Sequence, residues 1–211
     1  MELICRPAVD SEIDAPFFAW GLNEAMGGGL DLMLGSRCRE IIAVASRIPG
    51  HDFSLEHVTI AKAGKQAVGI FSGMPTEAMA SVAPVLRRCA GVLIVRAALF
   101  YLAGWPVLRG MSRHAPGEWY LQAIVVTPST RGSGAGTRLM ALAEDKAQMC
   151  GCTRIALDVV ATNTGGIRLY ERLGYARERT PPRAWLLGGV HVHRMSKAVE
   201  MGSRNLVSKG L

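Results

Sequence analysis

The stretch Val126-Thr127-Pro128-Ser129-Thr130-Arg131-Gly132-Ser133-Gly134-Ala135-Gly136-Thr137 decides the architecture of this chain. Before it, residues 119–126 are rich in aromatic and β-branched side chains and predict a strand, which Pro128 ends. After it, residues 137–150 predict a helix, with Leu139, Leu142 or Ala143, Ala147 and Cys150 on one face. Glycines at such a junction let the backbone turn sharply and come close to a ligand. The unpaired N–H groups of the helix start, with the helix dipole behind them, then form an anion site suited to a pyrophosphate. A plain tight turn uses glycine in the same way, so neighbouring sequence has to choose between the two. A Walker loop is excluded, because Gly136 is followed by Thr137-Arg138 rather than by Lys-Ser/Thr. A dinucleotide fingerprint fits poorly, since residues 132–136 read GxGxG and come late in the chain.

Downstream, Gly151 suits the C′ position of the helix, and residues 154–160 form a nearly all-apolar strand of the kind buried on both faces. Strand, helix and strand with a short crossover predict a βαβ unit. Residues 164–173 predict a short helix closed by Gly174, followed by strands at 185–188 and 190–196. Upstream, residues 3–9 predict a first strand. Asp10-Ser11 open a helix that runs to about Met26, where Gly27-Gly28-Gly29 stops it. Residues 30–45 carry apolar residues at helical spacing, and 56–63 with 67–72 predict a hairpin turning at Gly64-Lys65. Residues 76–113 predict an apolar helical insertion.

Two ordered motifs carry a family resemblance. Val126-x-Pro128 followed by Arg131-x-x-Gly134-x-Gly136 resembles the acyl-CoA-binding motif of the GCN5-related N-acetyltransferases. At the expected distance come Ala161-Thr162-Asn163 and then Ile167-Arg168-Leu169-Tyr170-Glu171-Arg172-Leu173-Gly174-Tyr175, similar to that family's second stretch, with Tyr175 where Phe is more usual. The resemblance implies an α/β fold: a mixed, mostly antiparallel sheet with a βαβ acetyl-CoA-binding unit. That fold is expected to form one domain over 1–200, including the 76–113 insertion, with 201–211 as a flexible tail.

It also implies roles residue by residue. Ile124, Val125 and Val126 offer backbone groups to the pantetheine arm where a bulged fourth strand splays from the fifth, and one of their amides serves as oxyanion hole. Arg131, Gly132, Ser133, Gly134, Ala135, Gly136 and Thr137 hold the pyrophosphate. Asn163 lies beside the cofactor, although an Asn at a strand end also satisfies loose backbone. Tyr170 occupies the general-acid position; packing beside Leu169 and Leu173 is its structural alternative. A phenol of ordinary pKa ≈ 10 and a thiol near 8.5 are close enough for hydrogen-bond donation or transfer. The family's strand-four Glu is absent: Tyr120 holds that place, and Glu118 lies two residues earlier on the same face. Both stand as catalytic candidates, and the general base is open.

The implied activity is direct, acetyl-CoA-dependent transfer of an acetyl group to an amine of a small molecule or protein. The alternative is a catalytically silent acyl-CoA-binding sensor.

Composition narrows the partners. Of 211 residues, 49% are hydrophobic and 19% charged, enough for a full core and against disorder. The formal net charge of +7 points to an anionic partner. Nine basic and five acidic residues fall within 131–183, so coenzyme A accounts for much of the surplus and nucleic acid is not needed. The first residues carry no signal-peptide pattern, and five scattered cysteines read as reduced, mostly buried thiols of a cytoplasmic protein. Cys150-Gly151-Cys152 and His191-Val192-His193 lack further ligands at matching spacing, so no metal is expected. Residues 89–108 have the length of a membrane span, but Arg96 and Gly104-Trp105-Pro106 interrupt them and no stable insertion is expected. A buried or interface helix is the better reading, with lid, acceptor pocket, homodimer surface and membrane surface left open.

Overall fold

A computed structural model describes residues 3–111, 114–179 and 191–199. Seven strands run β1 (Ile4–Pro7), β2 (Val58–Ala63), β3 (Gln66–Pro75), β4 (Glu118–Val126), β5 (Arg154–Val160), β6 (Ala176–Arg179) and β7 (Val192–Ala198). They form one sheet in the order β1-β2-β3-β4-β5-β7-β6. Every neighbouring pair is antiparallel except β4 and β5, which the intervening helix makes parallel.

Helices cover both faces. On one face lie α1 (Asp14–Ala25), α2 (Gly29–Leu34) and α3 (Cys38–Ser46), joined by α4 (Ala83–Ala90) and α5 (Leu93–Met111). The first of these buries Ala15, Phe18, Ala19 and Leu22 completely at helical spacing. Each large side chain there contributes roughly 1.5–3 kcal/mol. On the other face α6 (Ala135–Met149) buries Leu139, Ala143 and Ala147, and α7 (Thr164–Arg172) buries Ile167 and Tyr170.

The expected βαβ unit is β4–α6–β5, and the hairpin turns at Gly64-Lys65 with Ala63 opposite Gln66. Several details differ from the expectation. The single helix over 30–45 is two, because Gly35 (φ 71°) takes a left-handed conformation that ends α2. Helix α1 starts later than Asp10-Ser11, although Ser11 Oγ still accepts the Asp14 N–H at 3.0 Å. Cys150 is exposed rather than on the buried face of α6. Strand β6 had no sequence prediction, and the strand expected at 185–188 lies outside the described residues, as do residues 201–211. Within the apolar segment at 89–108 only part of the described surface is buried: Ala90 and Ala97 are buried and Leu93 and Ile94 pack on the core, Val92, Val95, Leu99 and Leu102 are exposed, and Arg96 Nε donates to the Leu32 carbonyl at 3.0 Å and ties α5 to α2. No helix among the described residues is long and apolar enough to cross a membrane.

Strand β4 is irregular at one point. Ser72 pairs with Ala123 but Gly73 pairs with Leu121, so Gln122 is an extra residue, a β-bulge. Before it, Trp119 and Leu121 face α6; after it, Ile124 and Val126 do. The indole of Trp119 lies against Gly73, where a Cβ would come within 2.3 Å of the ring.

Candidate active site

The bulge sets up the site. One edge of β4 stays paired with β3 as far as Val126 opposite Gly69. The other edge is paired with β5 only over Glu118–Leu121 against Arg154–Leu157, and beyond that the parallel pair has no further partners. A cleft of about 780 Å³ opens where the strands part. Ile124, Val125 and Val126 line its wall, and no described strand pairs with them on that side.

The glycine-rich turn forms one end of the cleft. Gly134 precedes α6 with φ 85°, no side chain caps this helix, and the N–H groups of its first turn are without an intrahelical partner. No atom lies within 4 Å of a Cβ placed on Gly132 or Gly134, whereas Gly136 backs onto Leu169. Arg131, Gly132, Gly134, Gly136 and Thr137 line the cleft. The other two turn residues do not: Ala135 is buried in the packing, and Ser133 Oγ donates to the Thr130 carbonyl at 2.7 Å. Arg172, from α7, also lines the cleft. Part of the basic surplus is spent elsewhere, since Arg154 and Arg177 are ion-paired with Glu118, Glu178 and Glu171.

The opposite wall is a second strand-to-helix turn that sequence reasoning did not separate out, Thr162, Asn163, Thr164, Gly165 and Gly166. Asn163 lines the cleft and is also the N-cap of α7, its Oδ1 accepting the Gly166 N–H at 2.9 Å. The capping reading therefore holds in the geometry. Glu24, Ala25 and Gly27, from the end of α1, complete the rim. Asn23 and Asp31 do not reach it: Asn23 Nδ2 donates to Asp31 Oδ2 at 2.7 Å and latches α1 to α2.

Tyr170 sits at the floor, 6% exposed, and its hydroxyl makes no hydrogen bond to any described residue. Burial alone pushes its phenol up to about 12.

Glu118 and Tyr120 lie apart from the cleft lining. Glu118 is fully buried; its carboxylate pairs with Arg194 and sits 3.4 Å from Arg154 Nε and 3.5 Å from His114 Nδ1. The Tyr120 hydroxyl donates to Asp158 Oδ2 at 3.1 Å, and burial, with Asp158 beside it, raises this phenol far above its ordinary range. The two side chains thus belong to a polar network between β4, β5 and β7. Asp158 connects that network to the open side of the strands and was missed by sequence reasoning. Its signal was present: one acid in the otherwise apolar run Ile155-Ala156-Leu157-Asp158-Val159-Val160. Among the described residues no group of three or more His, Cys, Asp or Glu is placed to hold a metal ion.

Mixed strands on which helices pack from both sides, and a parallel pair that parts at a bulge beside the start of α6, define an α/β protein with a cleft in its sheet. The profile of the acetyltransferase (GNAT) family matches residues 81–175. Over those residues, a little under half of its length, the chain is similar to that family. It is 33% identical over 72 residues to acetyltransferase Atu2258 of Agrobacterium fabrum, covering 34% of this chain and 51% of that protein. It is 30% identical over 108 residues to thialysine N-epsilon-acetyltransferase of Mus musculus, covering 51% of this chain and 59% of that protein. The matches thus span little more than half the length of these relatives. In fold the chain is similar to an N-acetyltransferase from Staphylococcus aureus Mu50, with a TM-score of 0.72, 12% identity, and coverage of 92% of this chain and all of the other.

Proposed function

We propose that the protein is an acetyl-CoA-dependent N-acetyltransferase that passes an acetyl group directly to an amine. The observation that carries this reading is the gap between β4 and β5, closed at one end by the uncapped start of α6 and floored by Tyr170. When bound, acetyl-CoA supplies the acetyl group as a thioester. Arg131 and the amides of α6 bind the pyrophosphate, with Arg172 across the cleft as a further cation. The strand edge at Ile124, Val125 and Val126 orients the pantetheine arm, and one of those amides donates to the carbonyl oxygen as charge develops there. Holding both substrates in one gap supplies the proximity on which direct transfer depends.

Tyr170 serves the departing sulfur. With the phenol at about 12 and a thiol near 8.5, complete transfer from tyrosine to thiolate alone is uphill by about 5 kcal/mol. Tyr170 therefore donates a hydrogen bond, and passes its proton on only as that proton is replaced from the amine side. Glu118 and Tyr120 act indirectly in this reading, by fixing Arg194 and Asp158. The relative from mouse is named for acetylating an ε-amino group, which supports a primary alkylamine as acceptor. The five free thiols support the cytoplasm as the setting, and the exposed spacing of Val92, Val95, Leu99 and Leu102 supports pairing of two chains through α5.

Calorimetric titration with acetyl-CoA and thiol release across a panel of primary amines test the proposal together. Binding with release for at least one amine is expected. Binding without release for any amine leaves a silent acyl-CoA sensor, and absence of binding removes the reading altogether.

A further inference from the structure

Asp158 stands where β4 and β5 part company. It follows Leu157, the last β5 residue paired with β4, and lies opposite Arg194 in the β5–β7 register. Its side chain is 1% exposed. Oδ2 accepts from Arg194 Nη1 at 3.0 Å and from the Tyr120 hydroxyl at 3.1 Å. Oδ1 is buried and accepts from no described residue. A buried carboxylate oxygen with no donor is uncommon and implies that something else supplies one.

The charges around it point to what that donor is. Three carboxylates, Glu118, Asp158 and Glu178, share two guanidiniums, Arg154 and Arg194, with the His114 imidazole beside Glu118. Carboxylates outnumber guanidiniums in this cluster by three to two. Asp158 also lines a small cavity of about 30 Å³ together with Gln122, Ile124, Asn163 and Tyr170. The last three line the main cleft as well, so the cavity adjoins its floor. That volume matches one water, and equally one ammonium group.

We propose that Asp158 is the catalytic residue that receives the acceptor: the cavity takes the nitrogen of a primary alkylammonium, and Asp158 Oδ1 accepts its proton. The inference rests on the acetyl-transfer reading above. The ammonium gives one proton to Asp158, and the freed amine forms the C–N bond to the acetyl carbon. The C–S bond then breaks with its electron pair on sulfur. A second proton leaves the nitrogen for Tyr170 as Tyr170 protonates the sulfur, so amide, thiol and one proton on Asp158, released later to water, account for all atoms and charge. Burial raises the Asp158 carboxyl above the usual carboxylate range against the opposing pull of Arg194, which suits a proton acceptor. The groups facing it are Glu118 and Tyr120 from β4, Arg194 from β7, Tyr170 from α7 and His114 ahead of β4.

The test uses the full chain, acetyl-CoA, a panel of primary alkylamines that includes lysine and 1,5-diaminopentane, and trifluoroethylamine, whose nitrogen is unprotonated at neutrality. Asp158→Asn is expected to lower kcat/KM for alkylammonium acceptors about 100-fold or more, with a much smaller loss for trifluoroethylamine. Calorimetry of the coenzyme A complex with 1,5-diaminopentane should show binding at least about tenfold weaker in the variant, with unaltered affinity for acetyl-CoA. Turnover of alkylammonium acceptors like that of the unaltered protein overturns the inference, and so does an equal loss on both kinds of amine. No turnover by the unaltered protein with any amine removes the acetyl-transfer reading, a different pattern from either. Tyr120→Phe keeps the carboxylate if the first variant does not fold. It removes a donor that holds the Asp158 carboxyl down, so the acidic limb of kcat/KM should move to higher pH. A limb that stays in place contradicts the proposal.

Discussion

Strands β4 and β5 have a closed half and an open half. In the closed half, Glu118–Leu121 against Arg154–Leu157, the ladder is complete, and the polar groups behind it are paired among Glu118, Arg154, Glu178 and Arg194. In the open half, from the bulge at Gln122 onward, the β5-facing strand edge, the start of α6 and the Tyr170 hydroxyl all lack partners among the described residues. The closed half spends its polar groups on the fold, and the open half leaves them unpaired among the described residues. Asp158 lies at the boundary: Oδ2 is bonded within the closed side, and Oδ1 has no partner among the described residues.

Substitutions on the two sides should therefore separate stability from chemistry. The largest expected effect is on the closed side. Glu118→Ala leaves Arg194 buried with less countercharge, and urea unfolding should show a loss of about 3–5 kcal/mol. On the open side, Tyr170→Phe should lower kcat about 100-fold, close to 2.7 kcal/mol, with nearly unchanged acetyl-CoA affinity and little change in unfolding. Equal turnover would remove the proton-donor role. Because burial holds that phenol at about 12, no alkaline loss of kcat from Tyr170 is expected as pH rises through 10, the region where an exposed tyrosine ionises. Gly134→Ala places a side chain at φ 85° and should cost about 1–2 kcal/mol, read as weaker acetyl-CoA binding and a lower Tm. The smallest effect belongs to Asn163→Ala, which removes the cap of α7 and should cost about 1 kcal/mol of stability. A further loss of cofactor affinity there, beyond that cost, would show that the side chain also serves the cleft.

The open half was the more legible in sequence. Its glycines, Arg131 and the stretch ending in Tyr175 are local signals, since each constrains its own backbone or its own helix. The closed half depends on pairing between distant segments. Asp158 meets Arg194 only because β7 lies beside β5, and a lone acid in an apolar strand does not announce its partner. The bulge was hidden for a related reason: residues 123–126 are apolar on both faces, so alternation does not reveal where the phase changes at Gln122. Sequence period put Glu118 and Tyr120 on one face correctly, but not what that face meets, which is Asp158 and Arg194 rather than the cleft.

Amide hydrogen exchange with and without acetyl-CoA tests the division most directly. Protection should appear at Ile124, Val125, Val126 and the first turn of α6, with smaller gains at 163–166, while Glu118–Leu121 and Arg154–Leu157, already protected by their ladder, change little. Protection confined to the closed half, or absent from the open half when calorimetry shows binding, would contradict the account.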